Sequence, residues 1–144
     1  MFAVRIHGRG GQGAVTAAEL LSVAAFDEGR HAQAFPTFGS ERTGAPVVSF
    51  CRIDDRAIRL REPITDPDAL IVQDPTLLHQ VNLFAGLKSD GFLVLNTSRP
   101  LDELGWIEEA IQGQGRVGCL IVGIFGRGRG ELSHGGRRRQ RRRR

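Results

Sequence analysis

The sequence predicts a three-layer α/β domain: a mostly parallel sheet with helices on both faces and one small antiparallel hairpin. Three observations lead there. Apolar segments of strand length alternate with segments of helical period, the pattern of successive β-α-β units. The stretch "FAVRIHGRGGQGAVTAAELL", residues 2–21, passes from a strand through a cluster of glycines into a helix. Continuous apolar runs such as "DALIVQD", residues 68–74, suit strands covered on both faces of a parallel sheet.

Residues 2–7 alternate around Phe2, Val4 and Ile6 and read as the first strand. From Ala14 to about Asp27, Ala14, Ala17, Ala18, Leu21, Ala24 and Ala25 recur at helical spacing, and Gly29 supplies a stop. Because that face is mostly alanine, the helix can pack close to a sheet. "HAQAF" reads as a second short strand, and "PTFGSERTGAP", residues 36–46, as a long loop. "VVSFCRI", residues 47–53, is rich in β-branched and aromatic residues, with "AIRL" at 57–60 as its expected hairpin partner across Asp54-Asp55. After the buried strand at 68–74, Pro75 suits the first turn of a helix through Leu87, with Leu77, Leu78, Val81 and Leu83 or Phe84 on its buried side. "GFLVLN" at 91–96 is a further buried strand; a helix from Leu101 to Ile111 and a strand from Val117 to Val122 follow. The arrangement is Rossmann-like, and in open sheets of this kind ligands bind at the carboxyl ends of strands, where the glycine cluster lies.

Composition narrows the function. With 144 residues there is room for one domain, and an apolar fraction of 40% fits a globular protein. No apolar run approaches the roughly 18–20 residues of a membrane span, and the first strand, broken by Arg5 and His7, is no secretory leader. Cys51 and Cys119 have neither metal nor redox spacing, so reduced core thiols in a cytoplasmic protein are expected. The net charge of +4 divides unevenly: residues 127–144, with nine arginines and one glutamate, contribute +8, so the body is mildly acidic. The domain is therefore drawn over residues 1–122 and a Gly/Arg-rich disordered tail over 123–144.

Gly8, Gly10 and Gly13 satisfy G-x-G-x-x-G in the strand-loop-helix context that a dinucleotide fingerprint requires. A nicotinamide site also wants an acidic residue ending the second strand; Phe38-Gly39-Ser40 stands there instead, with Glu41 inside the loop. Glycines that merely allow a tight turn and close helix packing are the bland alternative. Where a phosphate is bound, Gly10, Gly11, Gln12 and Gly13 offer backbone N–H donors at the helix start, and Arg9 a forked, charge-assisted bond. Gln12 hydrogen-bonding the backbone, His7 as a packed strand-end residue and Asp74-Pro75 as a plain strand-to-helix turn are the structural readings of those positions.

"HGRGGQGAVTAAELL", then "AQAFPTFGSERTGAPVVSFCRI", then "IRLREPI" resemble the gamma subunit or domain of the 2-oxoacid (pyruvate/ketoisovalerate):ferredoxin oxidoreductases, from His7 to about Thr97. The resemblance implies an α/β gamma component of a multi-subunit enzyme that decarboxylates a 2-oxoacid oxidatively and passes the acyl group to coenzyme A. Thiamine diphosphate and iron–sulfur clusters would sit in alpha, beta and ferredoxin-like partners; two distant cysteines cannot hold a four-cysteine cluster. It also implies that the "GSERTGAP" segment lies near coenzyme A, adding Ser40 as a hydroxyl donor and Arg42 as a phosphate clamp, with an interface salt bridge the equal alternative for Arg42. No catalytic residue and no metal ligand is assigned to this chain. Two further readings stand beside this one: a free-standing NAD- or flavin-binding protein, and nucleic-acid binding through the tail. The resemblance weakens after residue 122, where either an Arg-rich arm or an altered reading frame near residues 115–125 accounts for "GIFGRGRGELSHGGRRRQRRRR".

Overall fold

The structure is a computed structural model, and it describes residues 1–37, 43–80, 82–99 and the strand at 118–122. Six strands form one sheet: β1 (Phe2–Arg9), β2 (His31–Pro36), β3 (Pro46–Asp54), β4 (Ala69–Val72), β5 (Phe92–Asn96) and β6 (Gly118–Val122), in the spatial order β2-β3-β1-β4-β5-β6. One helix, α1 (Ala14–Asp27), follows β1, with the bounds its alanine period predicts. It closes with the Arg30 N–H bonded to the Ala25 carbonyl at 3.0 Å. No described helix is long and apolar enough to cross a membrane.

The α/β class holds, but the sheet is mixed. β1, β4, β5 and β6 pair in parallel, whereas β3 runs antiparallel to both β1 and β2. The hairpin therefore joins β2 to β3, with Phe35 opposite Phe50, and not 47–53 to 57–60. Both edges of β3 are taken, by β1 and β2, so residues 57–60 find no free edge there. The buried Arg52 guanidinium instead holds the chain beyond the turn, donating to the carbonyls of Leu60 at 3.5 Å and Glu62 at 2.6 Å.

The helix expected from Pro75 to Leu87 is a short 3₁₀ turn, Pro75–His79, followed by turns. Arg5 supplies the reason: its guanidinium takes the carbonyls of Leu83 at 2.8 Å and Ala85 at 2.6 Å, and those of Ile64 and Thr65 at 3.3 Å. Of these acceptors a helix ending at Leu87 would need the Leu83 carbonyl, for the Leu87 N–H; that N–H goes instead to the Phe84 carbonyl at 3.0 Å, and Gly86 turns the chain at a φ of 75°. Leu77, Leu83 and Phe84 are buried as predicted, but from an irregular cover; Val81 and the helix expected at 101–111 lie outside the described residues, as does the tail.

Alternation along the strands separates two cores. Leu70 and Val72 of β4 face one way, with Leu93 and Leu95 of β5 and with Leu77, Leu83, Phe84 and Leu87 of the cover. Ala69 and Ile71 face the other way, with Val4, Ile6 and Cys51, under Ala14 and Ala18 of α1. On α1 the structure departs from the predicted buried face at one position, since Ala24 is exposed.

Candidate functional site

β1 ends at Arg9, and the chain must reverse before α1 can run back across the sheet. Gly11 and Gly13 make that reversal at φ of 91° and 81°, in the left-handed region where a side chain is strained. Gly13 is the residue before the helix, so no side chain caps α1, and no acidic residue lies in its first turn. The first intrahelical bond runs from the Ala17 N–H to the Gly13 carbonyl at 2.8 Å. The amides of Ala14, Val15 and Thr16 precede it and carry the positive end of the helix dipole unneutralised. An open cleft of about 420 Å³ lies there, lined by Arg9, Gly10, Gly11 and Gly13, the first turn of α1, and Thr43 and Val47.

The loop is anchored on both sides. The Gly10 N–H donates to the Ala45 carbonyl at 2.9 Å and the Gly44 N–H to the Gly10 carbonyl at 3.2 Å, which locks it to the turn before β3. The Gln12 N–H is turned inward to the Arg9 carbonyl at 3.0 Å. Of the amides predicted as donors, those of Gly10 and Gln12 are therefore already paired within the loop.

The side chains of Arg9 and Gln12 point to a common partner, Asp74. Arg9 donates through Nε to Asp74 Oδ2 at 3.1 Å, through NH1 to the Gly44 carbonyl at 3.0 Å, and through NH2 to Thr76 Oγ1 at 2.9 Å and Gln80 Oε1 at 3.2 Å. These bonds leave one NH1 proton of the guanidinium for a ligand. Gln12 Nε2 donates to Asp74 Oδ2 at 2.8 Å, and Gln12 Oε1 accepts from the Arg9 N–H at 2.8 Å. Burial raises the Asp74 carboxyl, but hydrogen bonds from Thr76 and Gln12 and the Arg9 charge outweigh it and hold it below the usual carboxylate range.

Arg9, Gly10, Gly11 and Gly13 thus come together at one cleft, with Gln12 braced beside it; Ser40 and Arg42 lie outside the described residues. Sequence reasoning read Asp74-Pro75 as a plain strand-to-helix turn and did not single out Thr76 or Gln80, so the contacts of Arg9 and Gln12 with them are new from the structure. The signal was present in "DPT": Asp74 precedes a proline at the first turn position and caps it through the Thr76 N–H at 2.9 Å. β2 ends on Pro36, not on the acidic residue that a nicotinamide ribose would need.

A second open cleft, of about 480 Å³, lies on the leucine-rich face beside Arg5, His7, Phe50 and Asn82. His7 Nε2 is buried there without a hydrogen-bond partner among the described residues. Burial, and then the Arg5 charge, push the imidazole down to about 4, so it is neutral at pH 7. Burial pushes the Cys51 thiol up to about 11, which makes it unreactive. Among the described residues no group of His, Cys, Asp or Glu could hold a metal ion.

Comparison with known proteins gives this geometry a family. The family model described as pyruvate ferredoxin/flavodoxin oxidoreductase matches residues 3–121. The chain is 55% identical over 124 residues to pyruvate synthase subunit PorC of Methanocaldococcus jannaschii, covering 86% of this chain and 69% of that one. It is 54% identical over 104 residues to the pyruvate/ketoisovalerate oxidoreductases common subunit gamma of Pyrococcus abyssi, covering 72% and 56%. The crystal structure of pyruvate oxidoreductase subunit PORC from Thermotoga maritima superposes with a TM-score of 0.64 at 36% identity, covering 84% of this chain and 61% of that one. This chain therefore spans only part of the length of these relatives. It belongs to the pyruvate ferredoxin/flavodoxin oxidoreductase family, as a chain of the gamma-subunit type.

Proposed function

We propose that the chain works as the gamma subunit of a 2-oxoacid:acceptor oxidoreductase and that its glycine-loop cleft takes the phosphates of coenzyme A. Alpha, beta and ferredoxin-like partner chains, carrying thiamine diphosphate and iron–sulfur clusters, would perform the decarboxylation and the electron transfer. The observation that carries this reading is the uncapped start of α1, whose free amides open into a cleft large enough for a pyrophosphate. Coenzyme A, when bound, supplies the thiol that accepts the acyl group. The residues of this chain hold its phosphates: the first-turn amides and the remaining Arg9 proton from the loop side, with Ser40 and Arg42 proposed from the 36–46 segment. A cytoplasmic setting belongs to the same reading, and the buried free thiol of Cys51 fits a reducing compartment.

Thr16→Glu in the assembled oxidoreductase tests the site. Thr16 is exposed in the first turn and lines the cleft. A carboxylate there complements the helix dipole, so the fold is retained, yet it repels a phosphate. The expected result is a rise of at least tenfold in the KM for coenzyme A, with the KM for the 2-oxoacid unchanged. An unaltered KM for coenzyme A overturns the reading. Purification of the chain with thiamine- and cluster-bearing partners tests the assembly.

A further inference from the structure

We propose that Asp74 is the positioning residue of this site: its carboxylate clamps Arg9 and Gln12, and through them fixes the glycine loop in the form that presents the α1 amides to the cleft. The inference rests on the coenzyme A reading above.

Four hydrogen bonds converge on this one carboxylate. Oδ1 is held by the Thr76 N–H at 2.9 Å and the Thr76 hydroxyl at 2.6 Å, both local, so the group is aimed before the loop reaches it. Oδ2, the other oxygen, takes Arg9 Nε and Gln12 Nε2, both from the glycine loop. Each of those loop side chains is fixed a second time, Gln12 by the Arg9 N–H and Arg9 by Gly44, Thr76 and Gln80. The loop has little else to hold its side chains, because four of the six residues from 8 to 13 are glycine. Glycine-rich backbone is costly to order, and a rigid external anchor reduces that cost at the moment of binding.

The fold places the anchor where it must be. β1 and β4 are parallel neighbours, so the residues just beyond their carboxyl ends, Arg9 and Asp74, emerge side by side although they are 65 positions apart. Electrostatics give the clamp a second consequence. With Arg9 neutralised by Asp74 at a side-chain exposure of only 13%, the attraction for phosphate falls mainly to the helix amides, whose geometry the clamp controls.

Steady-state kinetics of the assembled enzyme test the proposal, with Asp74→Ala, Gln12→Ala and the pair combined. The expected result is a KM for coenzyme A raised about tenfold by Asp74→Ala and severalfold by Gln12→Ala. The kcat and the KM for the 2-oxoacid should stay unchanged. The double variant should be no worse than Asp74→Ala alone, because both act through one network. A purely structural role would lower kcat and both KM-dependent terms together through loss of intact complex. Should Asp74→Ala fail to assemble, Gln12→Ala decides: it leaves the 3₁₀ cap intact, and a KM for coenzyme A within twofold of the parent overturns the proposal. If Asp74→Ala leaves that KM within twofold while Thr16→Glu raises it, positioning by Asp74 is wrong and the coenzyme A site stands. If neither variant moves it, the site itself is wrong.

Discussion

The two faces of the sheet are filled with side chains of different size. Beneath α1 the core is built from Ala14, Ala18, Ala69 and Cys51 around Val4 and Ile6. On the far face it is built from Leu70, Leu77, Leu83, Leu93 and Leu95 with Phe84 and Leu87. Alanine lets helix backbone approach sheet backbone, so the start of α1 is held close above the end of β1, where the cleft forms. Leucine fills volume and tolerates an irregular cover, which is why a 3₁₀ turn and loops suffice on that side. The functional face is set by closeness and the other by filling, and the two should fail in opposite ways.

The largest effect is expected from removing volume on the leucine face. Leu93 is fully buried in β5, which lies between β4 and β6. Leu93→Ala should cost about 4 kcal/mol, the transfer loss plus a cavity that two flanking strands cannot collapse. Urea unfolding of the chain measures it, and a loss below about 1 kcal/mol would show that the irregular cover relaxes into the gap.

A second test uses the polar groups on that same face. His7 is opposite Val72 and Val48, among apolar neighbours, with Arg5 and Asp66 the charged groups near it. Its imidazole titrates at about 4 when folded against an ordinary 6.5. Above 6.5 both states are neutral and the fold keeps its full stability. As pH falls through the window from 6.5 to 4, the unfolded chain takes up a proton that the folded chain refuses, so stability falls with it. By the bottom of that window the loss is about 3 kcal/mol. His7→Phe should flatten this part of the acid limb relative to the parent chain; parallel limbs would show that His7 gains a partner when protonated.

How much of this asymmetry could be read beforehand depends on the range of the interactions. β1, the glycine cluster and α1 were legible because strand alternation, left-handed glycines and an alanine period are all local signals. The leucine-face cover was not. Residues 75–87 carry a helical pattern, but Arg5, some 80 positions away in sequence, binds the Leu83 and Ala85 carbonyls of a stretch that runs in turns. The strand expected at 57–60 fails for an equally non-local reason, since β1 and β2 hold both edges of β3. At the site the loop was legible and its brace was not, since Asp74 meets Arg9 only once β1 and β4 are paired. Strand neighbours and arginine side chains that bond distant carbonyls leave no periodic trace, and that is what the sequence reading lacked.

The alanine face should break by addition. Ala18 is buried where α1 crosses the sheet. Ala18→Leu adds three carbons where the helix has no room to move without lifting its start. The expected cost is about 2 kcal/mol, smaller than that of Leu93→Ala because a helix can shift where a sheet cannot. Its sharper consequence is functional: in the assembled enzyme the KM for coenzyme A should rise although Ala18 touches no ligand. A stability loss without any change in that KM would show that close packing beneath α1 does not set the site.

The smallest effect belongs to the outer surface of the same helix. Leu20, Val23 and Phe26 point away from the sheet while Ala14, Ala18 and Ala25 point toward it, so three of the larger apolar side chains of α1 are exposed. Phe26 is 73% exposed, and little of its surface leaves water when the chain folds. Phe26→Ser should therefore change the stability of the chain by no more than about 0.5 kcal/mol, in contrast to the roughly 2 kcal/mol of Ala18→Leu two turns away. Thermal unfolding of the two variants side by side decides it. A large loss from Phe26→Ser would mean that the outer face is packed in solution, and the helix would then be held from both sides instead of by its alanines alone.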